Sequence, residues 1–106
     1  MYVYVLYSEK LKRYYIGETE NYEVRFQQHL SKYYPLAYTS KSQDWALKLI
    51  IALNLKSEGR IIESYLKKMK SKKFTERLIS DEKSKDKFRV AVLQKFGIKI
   101  DFVSIS

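Results

Sequence analysis

Two short runs near the start of the chain limit the fold more than any other stretch. Residues 2–7, YVYVLY, are built only from aromatic, β-branched and leucine side chains. Tyr14 to Gly17, YYIG, follows after the largely polar connection Ser8 to Arg13. Such side chains suit a pleated surface, and two such runs joined by a short connection predict a hairpin. Asn21 is a candidate N-cap for a helix reaching about Leu30. SKYYPLAYTSKSQ, residues 31–43, has loop composition, and Pro35 bars a regular central strand. Trp45 to Leu55 is apolar and branched, and predicts a buried third strand.

The pattern then turns helical. Ser57 is a candidate cap, and Ile61, Ile62, Tyr65, Leu66 and Met69 share one helical face. Lys70 to Lys73 has the character of a helix end, where cations are favoured. A short helix over residues 74–79 is followed by one from Asp81 to Phe96, in which Phe88, Val92 and Phe96 recur every four residues. Gly97 is a natural stop, and IKIDFVSIS alternates like an edge strand. The order β-β-α-β-α-(α)-α-β predicts an α+β domain with an antiparallel or mixed sheet.

Composition narrows the function classes. A chain of 106 residues that is 45% hydrophobic can build one modest core. It has no cysteine, which excludes disulfides and iron–sulfur clusters. No apolar run approaches the roughly 20 residues of a membrane helix; the longest, Trp45 to Leu55, is interrupted by Lys48 and Asn54. MYVYVLYSEK lacks the basic start and cleavage site of a signal peptide, so a cytoplasmic location and no membrane partner are expected. The net charge of +9 favours a polyanion, nucleic acid before an anionic membrane surface.

Several residues could carry phosphodiester chemistry. Arg25 and His29, four apart, share a helix face; one can grip phosphate bidentately and the other can accept a proton near neutral pH. A tyrosine can orient a water, and Glu63 can hold Mg²⁺, which needs only one or two protein carboxylates. Glu63 lies off the apolar arc of its helix. That position suits a carboxylate facing a cleft, and equally one paired in solvent with Lys67. Spacing alone leaves both readings open, as it does for tyrosines that could simply pack a sheet.

YVY at 2–4 and YIG at 15–17 resemble the paired motif of the GIY-YIG endonucleases, small stand-alone bacterial members in particular. EVRFQQH resembles that family's Arg-x-x-x-His segment, ESYLKKMK its glutamate-bearing helix, and AYTSKSQDWAL its Thr-rich loop and Trp-containing third strand. Tyr2 stands where the family's first motif carries glycine. The resemblance covers about residues 2–80. It implies a GIY-YIG-like fold with a small central three-stranded sheet flanked by helices. The core would be residues 1–80, and 81–106 a helix–strand extension packed on the same domain. It further implies Tyr4 as general base or water-orienting phenol, and Tyr15 beside the nucleophile or phosphate. Gly17 would be the crowding-sensitive glycine, Arg25 the charge stabiliser and His29 a proton-transfer aid. Glu63 would be the ligand of one Mg²⁺ or Mn²⁺ ion. The expected activity is metal-dependent hydrolysis of duplex or branched DNA.

LKKMKSKK, residues 66–73, adds a candidate backbone track of Lys67, Lys68, Lys70, Lys72 and Lys73; a solubilising helix end is the plain alternative. Two other functions remain open: a non-catalytic DNA- or RNA-binding module, and a subunit of a larger DNA repair or restriction complex that docks through Phe88, Val92 and Phe96.

Overall fold

The computed structural model describes residues 1–30 and 42–105, the side chains of His29 and Leu30 excepted. The loop expected over 31–43 therefore falls, for 31–41, outside the described residues. Strands β1 (Tyr2–Ser8) and β2 (Arg13–Thr19) form the antiparallel hairpin. Its connection is tied from a distance. Asp44 accepts hydrogen bonds from Ser8 Oγ at 2.5 Å and from the Lys10 amide at 2.8 Å, and also from the Ser42 hydroxyl. These donors hold its carboxyl at about 2, Ser42 contributing most, then Ser8, then the Lys10 amide.

Helix α1 (Tyr22–Leu30) starts as its cap predicts. Asn21 Oδ1 accepts from the amides of Glu23 and Val24 at 3.1 and 3.2 Å. Strand β3 (Ala46–Ala52) is shorter than the Trp45–Leu55 run. At its end the Leu53 amide bonds Met1 O, and the chain turns directly into helix α2 (Lys56–Met69). The cap expected at Ser57 is not used. Leu55 takes the cap position, and Glu58 at the third helical residue reaches back to accept from the Leu55 amide at 3.0 Å. Helices α3 (Lys72–Ser80) and α4 (Glu82–Phe96) follow, capped by Ser71 and Asp81, and Gly97 ends α4 at φ 67°. Strand β4 (Asp101–Phe102) closes the order β2-β1-β3-β4. Every pairing is antiparallel, so the sheet is not mixed, and the possible extra strand is present as two residues.

The sheet is covered on both faces. Val3, Val5, Leu49 and Ile51 meet Ile62 and Leu66 of α2, Leu78 of α3, and Phe88 and Val92 of α4. Tyr4, Leu6 and Trp45 form the opposite cluster, with Phe26 of α1 packed on it. Residues 3–6 are consequently all buried, an unbroken run rather than an alternation. Phe88 and Val92 belong to the core and so offer no docking face; Phe96 packs edge-on against Tyr65 at 5.3 Å. Among the described residues no helix is long and apolar enough to cross a membrane.

We propose that residues 81–106 fold as one unit with 1–80. Replacing Phe88 by Ala is expected to cost about 3–5 kcal/mol, read by denaturant unfolding; a loss below about 1 kcal/mol would contradict a shared core. Asp44 supplies a pH signature. A depressed folded pKa contributes stability above the ordinary value of 3.8 that is lost as pH falls towards about 2. The melting-temperature gap between wild type and Asp44→Asn should therefore be constant above about pH 4 and shrink below it.

Candidate active site

The hairpin register decides which motif side chains meet. Tyr4 lies opposite Gly17 and Leu6 opposite Tyr15, so Tyr4, Tyr15 and Gly17 share the face covered by α1. Tyr4 is 2% exposed, and its ring fills the space a side chain at 17 would need. A Cβ there would stand 2.6 Å from Tyr4 Cζ. The requirement for glycine is thus a close approach, since β2 needs no unusual backbone at this point. The Tyr4 and Tyr15 rings lie 6.3 Å apart, and Trp45 stands edge-on to Tyr15 at 6.4 Å. Tyr2, at the position of the family's first-motif glycine, packs edge-on against Tyr22 at 5.0 Å and so fastens β1 to the start of α1.

Arg25 is half-buried on α1 and lines a hollow of about 500 Å³ with Glu18, Thr19 and Glu20 at the end of β2. His29 lies one turn further along α1; its side chain is outside the described residues. Glu63 comes from the other side. Helix α2 packs on β2, and Gly59 permits the approach, because a Cβ at 59 would be 2.8 Å from Met1 Cγ and 3.3 Å from Glu18 Oε2. Lys67 lines a groove with Tyr14, Tyr15 and Ile16. Glu63 is one turn after Gly59 and one turn before Lys67, on the row that fronts β2. It is accordingly only 19% exposed, although it lies off the helix's apolar arc. Its Oε1 pairs with Lys67 Nζ at 2.5 Å, so the i,i+4 pair is formed by a largely sheltered carboxylate.

Among the described residues β2 is bonded only to β1. Tyr4 and Tyr15 lie on the α1 face of the hairpin and Arg25 at the end of β2, whereas Glu63 stands on the helix packed against the other face.

Sequence reasoning missed Glu18. Its Oε2 is buried without a hydrogen-bond partner, while Oε1 lies 3.6 Å from Arg60 Nε. The signal was present, since alternation from Gly17 sends residue 18 to the α2 face. Among the described residues there is no cluster of three or more metal-ligating side chains. One carboxylate with waters and substrate phosphate suits Mg²⁺, and Glu63 is a single carboxylate of the kind such an ion would need.

The lysine cluster is divided. Lys67 and Lys68 end α2, Lys70 adopts φ 48°, and Lys72 and Lys73 open α3, against its dipole. The helix end expected at Lys70 to Lys73 is therefore a corner. Lys67, Lys70 and Lys72 line the groove with Arg13, Tyr14 and Tyr15. Lys68 and Lys73 are exposed outside that lining. The Tyr14 phenol is held protonated, its pKa raised first by burial, then by Glu76 and Tyr7.

Gly17→Ala should displace the Tyr4 ring and lower stability by about 1–3 kcal/mol. Thermal unfolding together with Tyr4 aromatic NMR shifts checks this; an unmoved Tyr4 would contradict the contact.

Comparison with curated proteins finds no match, and neither does comparison with solved structures. The family model described as the GIY-YIG catalytic domain matches residues 1–78. That match runs from the hairpin through α1, β3 and α2 into α3, and on its extent the chain belongs to the GIY-YIG family of nucleases.

Proposed function

We propose that the protein is a metal-dependent endonuclease that hydrolyses DNA phosphodiester bonds with one divalent ion, Mg²⁺ or Mn²⁺, held by Glu63. The observation that carries this reading is the position of Glu63, half-buried on the α2 row that fronts β2, the strand that also bears Tyr15 and Gly17. The ion, when bound, would polarise the phosphate and offset charge on the leaving oxygen.

The chain's own residues supply the rest. Tyr4, its ring packed against Gly17, has little freedom to rotate, and its hydroxyl would orient the attacking water where the substrate opens access to it. Tyr15 would contact the nucleophile or phosphate beside it. Arg25 would stabilise the charge that develops on the phosphate, with His29 assisting proton transfer. Lys67 would exchange its partner. With Glu63 holding the ion, the Lys67 ammonium now paired with it would be available to a flanking phosphate. Lys70 and Lys72 continue that track along the groove, and Lys68 and Lys73 extend it on the outer surface. These contacts position DNA without reading its sequence.

Plasmid nicking with Mg²⁺ or Mn²⁺ tests the reading. Wild type should cleave, and Arg25→Ala and Glu63→Ala should each lower the rate by about 10²–10³. No cleavage of duplex, branched or single-stranded DNA under either metal, with salt-dependent binding intact in Glu63→Ala, would leave a binding module instead.

A further inference from the structure

The α4–β4 segment lies outside the matched residues, yet it builds most of a polar cavity at the opposite side of the sheet from β2. The cavity measures about 380 Å³, within the range of small-ligand sites. Three cations from two elements line it: Lys48 of β3, and Lys85 and Arg89, one turn apart on α4. Their delivery is specific. Leu49 pairs with Val5 but Leu47 pairs with Leu6, so Lys48 is an extra residue in β3, a bulge of the kind that re-aims a side chain. Lys85 is 11% exposed at its side chain and donates to Ile79 O at 2.7 Å, which fixes an ammonium that has two further donors. The Arg89 guanidinium lies 4.9 Å from the Phe102 ring centre and bonds Asp86 at its outer side. Glu82 also lines the cavity. It lies 3.7 Å from Lys85, but at 84% exposure it is free to turn outward. Three positive groups against two carboxylates, of which Asp86 does not line the cavity and Glu82 is highly exposed, leave it net cationic, with a planar guanidinium suited to tetrahedral oxyanions.

We propose that this cavity is a second phosphate-binding site, supplied by the C-terminal extension and separate from the cleft at β2. Its ligand is a phosphate group, carried either by the nucleic-acid backbone or by a free nucleotide. Only the backbone source rests on the proposed function. Three interstrand steps separate β2 from β4, roughly 14–15 Å, a span that one bound strand can bridge.

The test uses the full chain without divalent metal, so that cleavage plays no part. Pyrophosphate and AMP are titrated against ¹⁵N-labelled protein, and binding of a short DNA duplex is followed as a function of salt. Amides of residues 48, 85, 89 and 102–105 should shift with pyrophosphate or AMP. Lys48→Gln combined with Arg89→Gln, checked for an unchanged melting temperature, should weaken that binding at least fivefold. If the source is the nucleic-acid backbone, the double variant should also lower the slope of log K against log salt by about 2, roughly one unit per lost contact. Shifts with an unchanged slope assign the site to a free phosphate compound. The absence both of shifts in the wild type and of a change in slope would overturn the proposal. A protein that fails to cut DNA would leave all of these readouts intact, so the two readings fail separately.

Discussion

Tyr4 can be a nearly inaccessible phenol in the middle of a sheet only because the residue opposite lacks a side chain. That single cross-strand accommodation fixes much else. It holds β2 in one register against β1, since a slip of one residue would put Ile16 or Glu18 against the ring. The same register sets Tyr15 beside Tyr4 and sends Glu18 to the face where α2 packs. On the other face Gly59 leaves room between α2 and β2 for the Met1 side chain and the Glu18 carboxylate.

The cations are placed at a cost. Left-handed backbone is cheap for glycine or asparagine and unfavourable for lysine, yet Lys12 and Lys70 both adopt it. Lys72 and Lys73 occupy the first turn of α3, where the helix dipole repels positive charge and no acidic residue offsets it. Lys70, Lys72 and Lys73 thus concentrate positive charge at the α2–α3 corner, where neither the backbone nor the helix dipole favours it; Lys70 and Lys72 line the groove with Tyr14 and Tyr15.

Much of the fold was legible because local signals carried it. The hairpin announced itself by its aromatic and branched runs, α1 by Asn21, and the end of α4 by Gly97. The start of α2 was not, since its cap is supplied by Glu58 from inside the helix and not by a residue before it. The break between α2 and α3 was legible as the lysine run at 70–73, but its bounds were not, because Lys72 and Lys73 already belong to α3. For the site, the family resemblance singled out Tyr4, Tyr15 and Gly17 as candidates, and the hairpin register puts them on one face. The shelter around Glu63 was illegible because it depends on how α2 meets β2. Helical angle alone placed that residue outside the buried arc.

Lys48 entered the reading only as a charge interrupting an apolar run, but it is where β3 changes phase. On one side of it Leu47 packs with Leu6 and Trp45; on the other, Leu49 and Ile51 pack with the helical layer. Because Lys48 has no partner in β1, removing it would leave Leu47 and Leu49 opposite Leu6 and Val5 and on the faces they already occupy. β3 can therefore shorten by that one residue with both apolar layers intact, giving up only the kink and the ammonium it carries.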